Sequence, residues 1–411
     1  MWDKEIGKLI KAERARQKRV INLIASENYV SRDVLAALGS EFTNKYAEGY
    51  PGARYYGGNE IIDQVERLCQ ERALKLFKLS SKTWSVNVQP LSGSPANLAI
   101  YLALVPLGGK IMGMELSHGG HLTHGHRVSV TGKLWQPVSY GVDRDSETLD
   151  YDVLLKLATK EKPRLIVTGY TAYSRKIDFK EFRRIADSCN AYLMVDMSHI
   201  AGLVAAGIHP SPFLYADVVM TTTHKTLRGP RSALIFTKKV PVGELLSFIT
   251  VSQGNDSRKQ LPDLIDKAVF PGLQGGPHIN QIAAAAVALA EAARPDFKKY
   301  IWQVVKNEKA LAAELSRRGW RIVSGGTDTH LMLVDTWLDG RGIPGKMASE
   351  LLEREGIIVN KNTIPFDTRP PTDPSGIRLG TPAETTRGKK EKDMVMIARR
   401  IDTILKRAIH G

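Results

Sequence analysis

The chain has 411 residues, of which 43% are hydrophobic, with a formal net charge of +15 and two cysteines. That length supports two or more domains with sizeable cores, while the distant Cys69 and Cys189 form no C-x-x-C pair and point to a reduced, cytoplasmic setting with both thiols buried. No apolar run reaches the ~18 residues of a membrane span, the charged opening stretch with Asp3, Glu5 and Glu13 argues against a signal or transit peptide, and the dispersed basic residues accompany no nucleic-acid motif, so anionic small molecules are expected as partners rather than nucleic acid or membrane.

Residues 1–20 read as an amphipathic helix with Ile6, Leu9 and Ile10 on one face. From Arg54 to Gly120 glycine turns surround one helix at 61–77. Short apolar runs at 164–170, 192–197 and 217–223 read as strands, with a helix at 179–190 between the first two. Strand, helix, strand in this rhythm predicts a largely parallel sheet covered by helices on both faces. A polar surface loop is expected over 252–263. The alanine-rich helix at 279–293 then bridges to a second, smaller α/β domain, with a strand at 330–337, a helix at 346–356, a strand at 357–362 and a C-terminal helix.

Ligands of open parallel sheets bind beyond the carboxyl ends of the strands. "TGYTAYS" puts Thr171 there, "VDMSH" puts Asp196 and His199 there, and "TTTHKT" puts His224 and Lys225 there. A lysine in that position, desolvated and beside Arg231, suits a Schiff base with an aldehyde. Pyridoxal phosphate (PLP) needs such a lysine, an acid for the pyridinium nitrogen and a phosphate cup. Asp196 suits the acid, and equally suits a helix N-cap. The cup candidate is "QPLSGSPANLAIY": Ser92, Gly93 and Ser94 lead into a helix, with Ser94 as N-cap and Pro95 at the first helical position. Free N–H groups at a helix start attract phosphate.

"LSHGGHLTHGHR" holds His118, His121, His124 and His126. Zinc is one reading, but two glycines interrupt the alignment and no carboxylate or cysteine joins them. An imidazole lying flat on a cofactor ring is the reading we favour. Arg378, in "SGIRLGTPAETTRG", suits a bidentate grip on a carboxylate or a structural salt bridge.

Together these segments resemble the serine hydroxymethyltransferases, PLP enzymes of the aspartate-aminotransferase fold (fold type I). "LIASENY", "TNKYAEGYPGARYYGG", "NVQPLSGSPAN", "HGGHLTHG", "VDMSHIAGLVAAG", "TTTHKTLRGPR", "AVFPGLQGGPH", "SGGTDTHLMLVD", "NKNTIPFD" and "SGIRLGTPAETTRG" occur in the family's order over nearly the whole chain. The resemblance implies an N-terminal arm over 1–48, a large PLP-binding domain over 49–280 and a small domain over 281–411. It implies Lys225 as the Schiff-base lysine with His224 beside it, Asp196 on the pyridine nitrogen, His121 on the ring, and Thr171 and His199 near the cofactor hydroxyl. Ser92 and Gly93 would hold the phosphate, aided by Gly276 from a second subunit. Ser26, Tyr56 and Arg378 would bind the amino acid, with Arg231 next to the lysine region. Tyr46 and Glu48 would come from the neighbouring subunit, Glu48 handling protons beside the folate, with Tyr55, Leu122 and Asn362 near the folate site. No metal is implied.

The reaction implied is the reversible conversion of serine and tetrahydrofolate to glycine and 5,10-methylenetetrahydrofolate, in a cytoplasmic homodimer with shared sites. Pairing of two dimers is left open. A threonine aldolase or an α-methylserine hydroxymethyltransferase is the alternative within the fold, and an idle RNA-binding or assembly protein the alternative outside it. Against the family's usual pattern, Ser232 stands where glycine is common, Thr171 where serine is common and Thr329 where asparagine is common, and "DTRPPTDPSG" is unusual.

Overall fold

The computed structural model describes residues 3–241 and 260–410. Most of the loop expected over 252–263 lies outside the described residues, and its last residues, from Leu261, already belong to a helix, Leu261–Lys267.

The larger unit is built on seven strands: β1 (Trp84–Asn87), β2 (Lys110–Met114), β3 (Gln136–Tyr140), β4 (Leu165–Gly169), β5 (Tyr192–Asp196), β6 (Val218–Thr222) and β7 (Ala233–Lys238). Their order across the sheet is β1-β7-β6-β5-β4-β2-β3. Neighbours from β6 to β3 pair in parallel, and β7 alone runs against the rest. The three strands read from apolar runs, β4, β5 and β6, lie side by side in the middle. Their side chains alternate between two cores. Val219, Leu193 and Val195 enter one with Phe179, Phe182 and Ile185 of the helix Phe179–Ser188. Val218, Met220 and Met194 enter the other with Ile100, Tyr101 and Leu104 of the helix Gly93–Leu104. Burial on both faces explains why these strands read as continuous apolar runs rather than alternating ones.

Among the helices used below, α1 spans Lys4–Arg19, α2 Arg32–Leu38, α3 Glu60–Leu76 and α4 Gly93–Leu104. The alanine-rich α5 (Ile279–Ala292) packs on α2 and α3, so small side chains serve close helix approach within the large unit, and it does not bridge to the second unit. The bridge is α6 (Pro295–Arg317), which the sequence reading did not single out. Its first half puts Phe297, Ile301 and Val305 into the large core, and its second half puts Leu311 and Leu315 into a separate core.

That separate core underlies a four-stranded antiparallel sheet, Arg321–Ile322, Leu331–Asp335, Gly376–Gly380 and Asn360–Asn362 in spatial order, together with the helices Gly345–Arg354 and Glu391–His410. The single strand expected over 357–362 is divided. Ile357–Ile358 pairs in parallel with Ile21–Asn22 of the N-terminal arm, whereas Asn360–Asn362 pairs with Gly376–Gly380. The arm is thereby stitched into the molecule: Leu23 is fully buried in the small core and Ala25 in the large one.

By contrast, α1 buries no side chain, and Ile6, Leu9 and Ile10 stay exposed. Cys69 is buried and Cys189 half-buried, so the expectation that both are buried holds for Cys69 alone.

The seat of the arm is testable. Leu23→Ala should destabilise the protein by about 2–5 kcal/mol, the range for emptying a buried leucine site, seen as a lower thermal midpoint. An unchanged midpoint would show that the arm is not part of the small core.

Candidate active site

Beyond the carboxyl ends of β4, β5 and β6 lies a cleft of about 260 Å³, whose lining includes Ser92, His121, Thr171, Asp196, His199 and Lys225. Asp196 is the last residue of β5 and is buried. Gly169, the last residue of β4, makes room for it: with φ at +122°, a Cβ there would sit 2.0 Å from Asp196 O. The carboxylate accepts from Ser198 N–H at 3.0 Å, His124 Nε2 at 3.2 Å and Asn97 Nδ2 at 3.3 Å. Burial pushes its pKa up, but the His124 bond, the charge of Lys225 and the Ser198 side chain outweigh that and hold it below the usual aspartate range.

Lys225 follows β6 by three residues, in a loop closed on itself. Thr223 N–H donates to Ser232 O at 3.1 Å, Gly229 N–H to Thr223 O at 2.7 Å, and Asn28 Nδ2 of the arm to Lys225 O at 3.0 Å. Burial, with Arg378 and Arg231 nearby, lowers the Lys225 amine to about 8, and Asp196 opposes the shift. Ser232, in place of the family's glycine, is accommodated: its hydroxyl lies 3.4 Å from Pro90 O.

The imidazoles are held neutral. Burial lowers His121 to about 4 and His224 to about 3. His121 Nδ1 accepts from Thr123 N–H at 3.2 Å and lies 2.7 Å from Thr123 Oγ1, which in turn accepts from Asn97 at 2.8 Å, so its proton sits on Nε2. Arg231 Nη1 is 3.3 Å from His224 Nε2. His118 accepts from Val142 N–H and packs on Phe366, away from His121. Among the described residues no three His, Cys, Asp or Glu side chains converge as a metal ion requires.

The helix start differs from expectation by two residues. Ser92 is the N-cap and α4 begins at Gly93, which places Pro95 third; the first N–H groups of a helix have no intrahelical acceptor, so proline is tolerated there. The Ser92 side chain makes no capping hydrogen bond and remains available. A Cβ on Gly93 would lie 2.8 Å from Thr222 Cγ2, so glycine lets α4 start against the end of the lysine strand.

Arg378 lies in the small unit's strand Gly376–Gly380 and is buried. Its Nη1 donates to Thr171 O at 2.7 Å and its Nε to Asn360 Oδ1 at 3.1 Å, with Ser26 Oγ at 3.5 Å from Nη2. No carboxylate among the described residues forms an ion pair with it. Burial alone lowers it to about 10.

A profile of the serine hydroxymethyltransferase family matches residues 1–401. A curated serine hydroxymethyltransferase of Acidobacterium capsulatum is 52% identical over 403 residues, 98% of this chain and 88% of that protein.

The chain belongs to the serine hydroxymethyltransferase family.

It is a PLP-dependent transferase of fold type I that interconverts serine and tetrahydrofolate with glycine and 5,10-methylenetetrahydrofolate. Neither match favours a threonine aldolase or an α-methylserine enzyme. The cleft fits PLP on its own chemistry. It joins a buried carboxylate, a lysine and a helix start, and three buried polar atoms around it, His199 Nε2, Thr222 Oγ1 and His224 Nδ1, have no partner among the described residues. No helix is long and apolar enough to cross a membrane among the described residues.

Several residues expected in a serine hydroxymethyltransferase site do not line this cleft. Tyr46, Tyr55 and Tyr56 form an exposed aromatic cluster with ring centroids 4.9 and 5.5 Å apart. Glu48 joins it, 3.4 Å from Tyr46 Oη, and Gly275 and Gly276 pack against Glu48 and Tyr46. Leu122 is exposed beside His121, and Asn362 donates to Thr363 O. Residues that touch the site without a role assigned from sequence include His124, Asn97 and Ser198 on Asp196, Asn360 on Arg378 and Asn28 on the lysine loop. The proximity of His124 to His121 was its only signal, and the asparagines gave none.

The lowered lysine gives a measurable profile. In cofactor-free enzyme, acylation of Lys225 by an amine-directed reagent should rise with pH to half its plateau near about 8, since the free amine forms above that value. A half-point near the ordinary lysine value, about 10.4, would contradict the placement.

Proposed function

We propose the following roles in the serine hydroxymethyltransferase reaction. Lys225 is the amine that takes the cofactor's aldehyde. Asp196, ionised, holds a proton at the pyridine nitrogen, and His121 covers the ring. Thr171 and His199 face the ring hydroxyl, and Ser92 and Gly93 the phosphate, with Gly276 of the partner subunit. Arg378 and Ser26 take the carboxylate of serine or glycine, with Tyr56 alongside and Arg231 flanking through His224. Tyr55, Leu122 and Asn362 border the folate. PLP, bound there, supplies the electron sink for the pair left on Cα when the Cα–Cβ bond of serine breaks.

Charge supports the assignment. Lys225 and Arg231 line the cleft and Arg378 lies within electrostatic reach of Lys225, against one lining carboxylate, Asp196, so the net charge is positive and favours anionic ligands, a phosphate and a substrate carboxylate. Arg378 is preset for this, because Thr171 O and Asn360 fix its plane before any ligand arrives. Asn28 and the loop hydrogen bonds hold Lys225 at the strand end.

The observation that carries the oligomeric reading is the separation of Glu48 from its own cleft. Glu48, Tyr46 and Gly276 sit together, yet none lines the cavity around Lys225. A homodimer in which each site takes Lys225 from one subunit and the Tyr46–Glu48 cluster from the other reconciles the two. Exposed apolar side chains on α1, α2 and α3, namely Leu9, Leu35 and Ile61, supply surface for such pairing. In that dimer Glu48 exchanges protons near the leaving carbon and the folate. The two cysteines, neither in a disulfide, suit a cytoplasmic enzyme. Arm, large and small domains follow in chain order. Helix α6 contributes side chains to both cores and so joins the large and small domains.

Hybrid dimers test this reading. Lys225→Ala and Glu48→Gln homodimers should each be nearly inactive. After unfolding and refolding as an equal mixture, activity should return to about a quarter of wild type, because half of the dimers are mixed and each mixed dimer has one intact site. No recovery would place Lys225 and Glu48 of each site on one chain.

A further inference from the structure

His330 comes just before the strand Leu331–Asp335 of the small unit, and its ring meets His199 of the large unit. His199 Nδ1 and His330 Nε2 are 3.3 Å apart. The ring planes differ by 26° with centroids 5.5 Å apart, so the two rings meet edge to edge in nearly one plane, the arrangement of an in-line N–H···N bond. Both are buried, His199 to 2% exposure and His330 to 0%. The outer nitrogens, His199 Nε2 and His330 Nδ1, have no partner among the described residues. Only His199 lines the cleft.

Two neutral arrangements satisfy the shared bond. If His199 Nδ1–H donates, His330 carries its proton on Nδ1, which leaves a buried N–H with no acceptor. If His330 Nε2–H donates, His330 Nδ1 is a bare lone pair, and the His199 proton sits on Nε2 at the cleft. Each arrangement leaves one outer N–H, but on His199 it faces the cleft, where a ligand can accept it, whereas on His330 it is buried away from the cleft lining, and an orphaned buried donor is rarer and costlier than an under-used acceptor. A doubly protonated ring is not an option near neutrality. Burial lowers His330 to about 3 and His199 well below its ordinary value, and Lys225 and Arg378 push in the same direction.

We propose that His330 is a positioning residue whose Nε2–H fixes His199 as the Nε2–H tautomer and thereby aims a hydrogen-bond donor at an anionic oxygen of the cofactor. The proposal rests on the reading that His199 faces the ring hydroxyl. The sequence singled out His199 but gave no role to His330. The pair also crosses from one unit to the other, so the donor is set only when the small unit is seated.

The test is the tautomer itself, read by two-bond ¹H–¹⁵N correlation in ¹⁵N-histidine-labelled, cofactor-free enzyme, with His199 assigned by its loss in His199→Asn. Wild type should show the Nε2–H form. His330→Gln, which keeps an N–H donor at the same reach, should retain it. His330→Leu should lose the preference and bind PLP about tenfold more weakly, the scale of one lost buried hydrogen bond. An Nδ1–H tautomer in wild type overturns the proposal, as does an unchanged Nε2–H form in His330→Leu. Should His330→Leu fail to fold, the wild-type and His330→Gln spectra decide. If the tautomer is as proposed but His199→Asn binds PLP as tightly as wild type, the donor does not serve the cofactor, and the reading of His199 fails separately from the tautomer.

Discussion

Everything in the cleft depends on one carboxylate kept ionised where burial alone would neutralise it. Asp196 ends a central strand, buried, and bulk water does not stabilise its charge. Its negative charge survives because a histidine N–H, a backbone N–H and an asparagine amide converge on it while Lys225 lies within electrostatic reach. A buried charge so paired is costly to disturb. That explains the surroundings. Gly169 clears space for the Asp196 backbone, Asn97 reaches from α4, and His124 returns from the loop after β2.

The other charges follow from this one. Lys225 remains a reactive amine because desolvation and the two arginines outweigh its attraction to Asp196. The imidazoles of His121, His199, His224 and His330 are held neutral by the same buried, cation-rich surroundings. They therefore act through hydrogen bonds rather than charge. Arg378 retains its cation but has no carboxylate partner among the described residues. The protein has invested burial in a site whose electrostatic balance is completed by its ligands.

Much of this was legible in the sequence because parallel strands announce themselves. The runs at β4, β5 and β6 are apolar on both faces, and each stops at a polar cluster, so Thr171, Asp196 and Lys225 had to share one edge of the sheet. Other features lacked such a signal. The helix α6 has one face in each of two cores along its length, which blurs a single periodic stripe. The strand at 357–362 divides because its two halves serve different partners, one of them the distant arm. Asn360 meets Arg378 as a consequence of the pairing of Asn360–Asn362 with Gly376–Gly380, and register of that kind is invisible before folding. The N-cap fell on Ser92 instead of Ser94 because three candidate capping positions stand in a row, and packing of Gly93 on Thr222 chooses among them.

The most direct measurement is infrared difference spectroscopy of aspartate-¹³C-labelled, cofactor-free enzyme against Asp196→Asn, at about pH 5, one unit above the ordinary aspartate value. The account predicts that the Asp196 signal is a carboxylate stretch with no protonated carbonyl component. A protonated carboxylic-acid band at that pH, persisting toward neutrality, would mean that burial wins over the hydrogen bonds of His124 and Ser198, and the charge arrangement described for the cleft would be wrong.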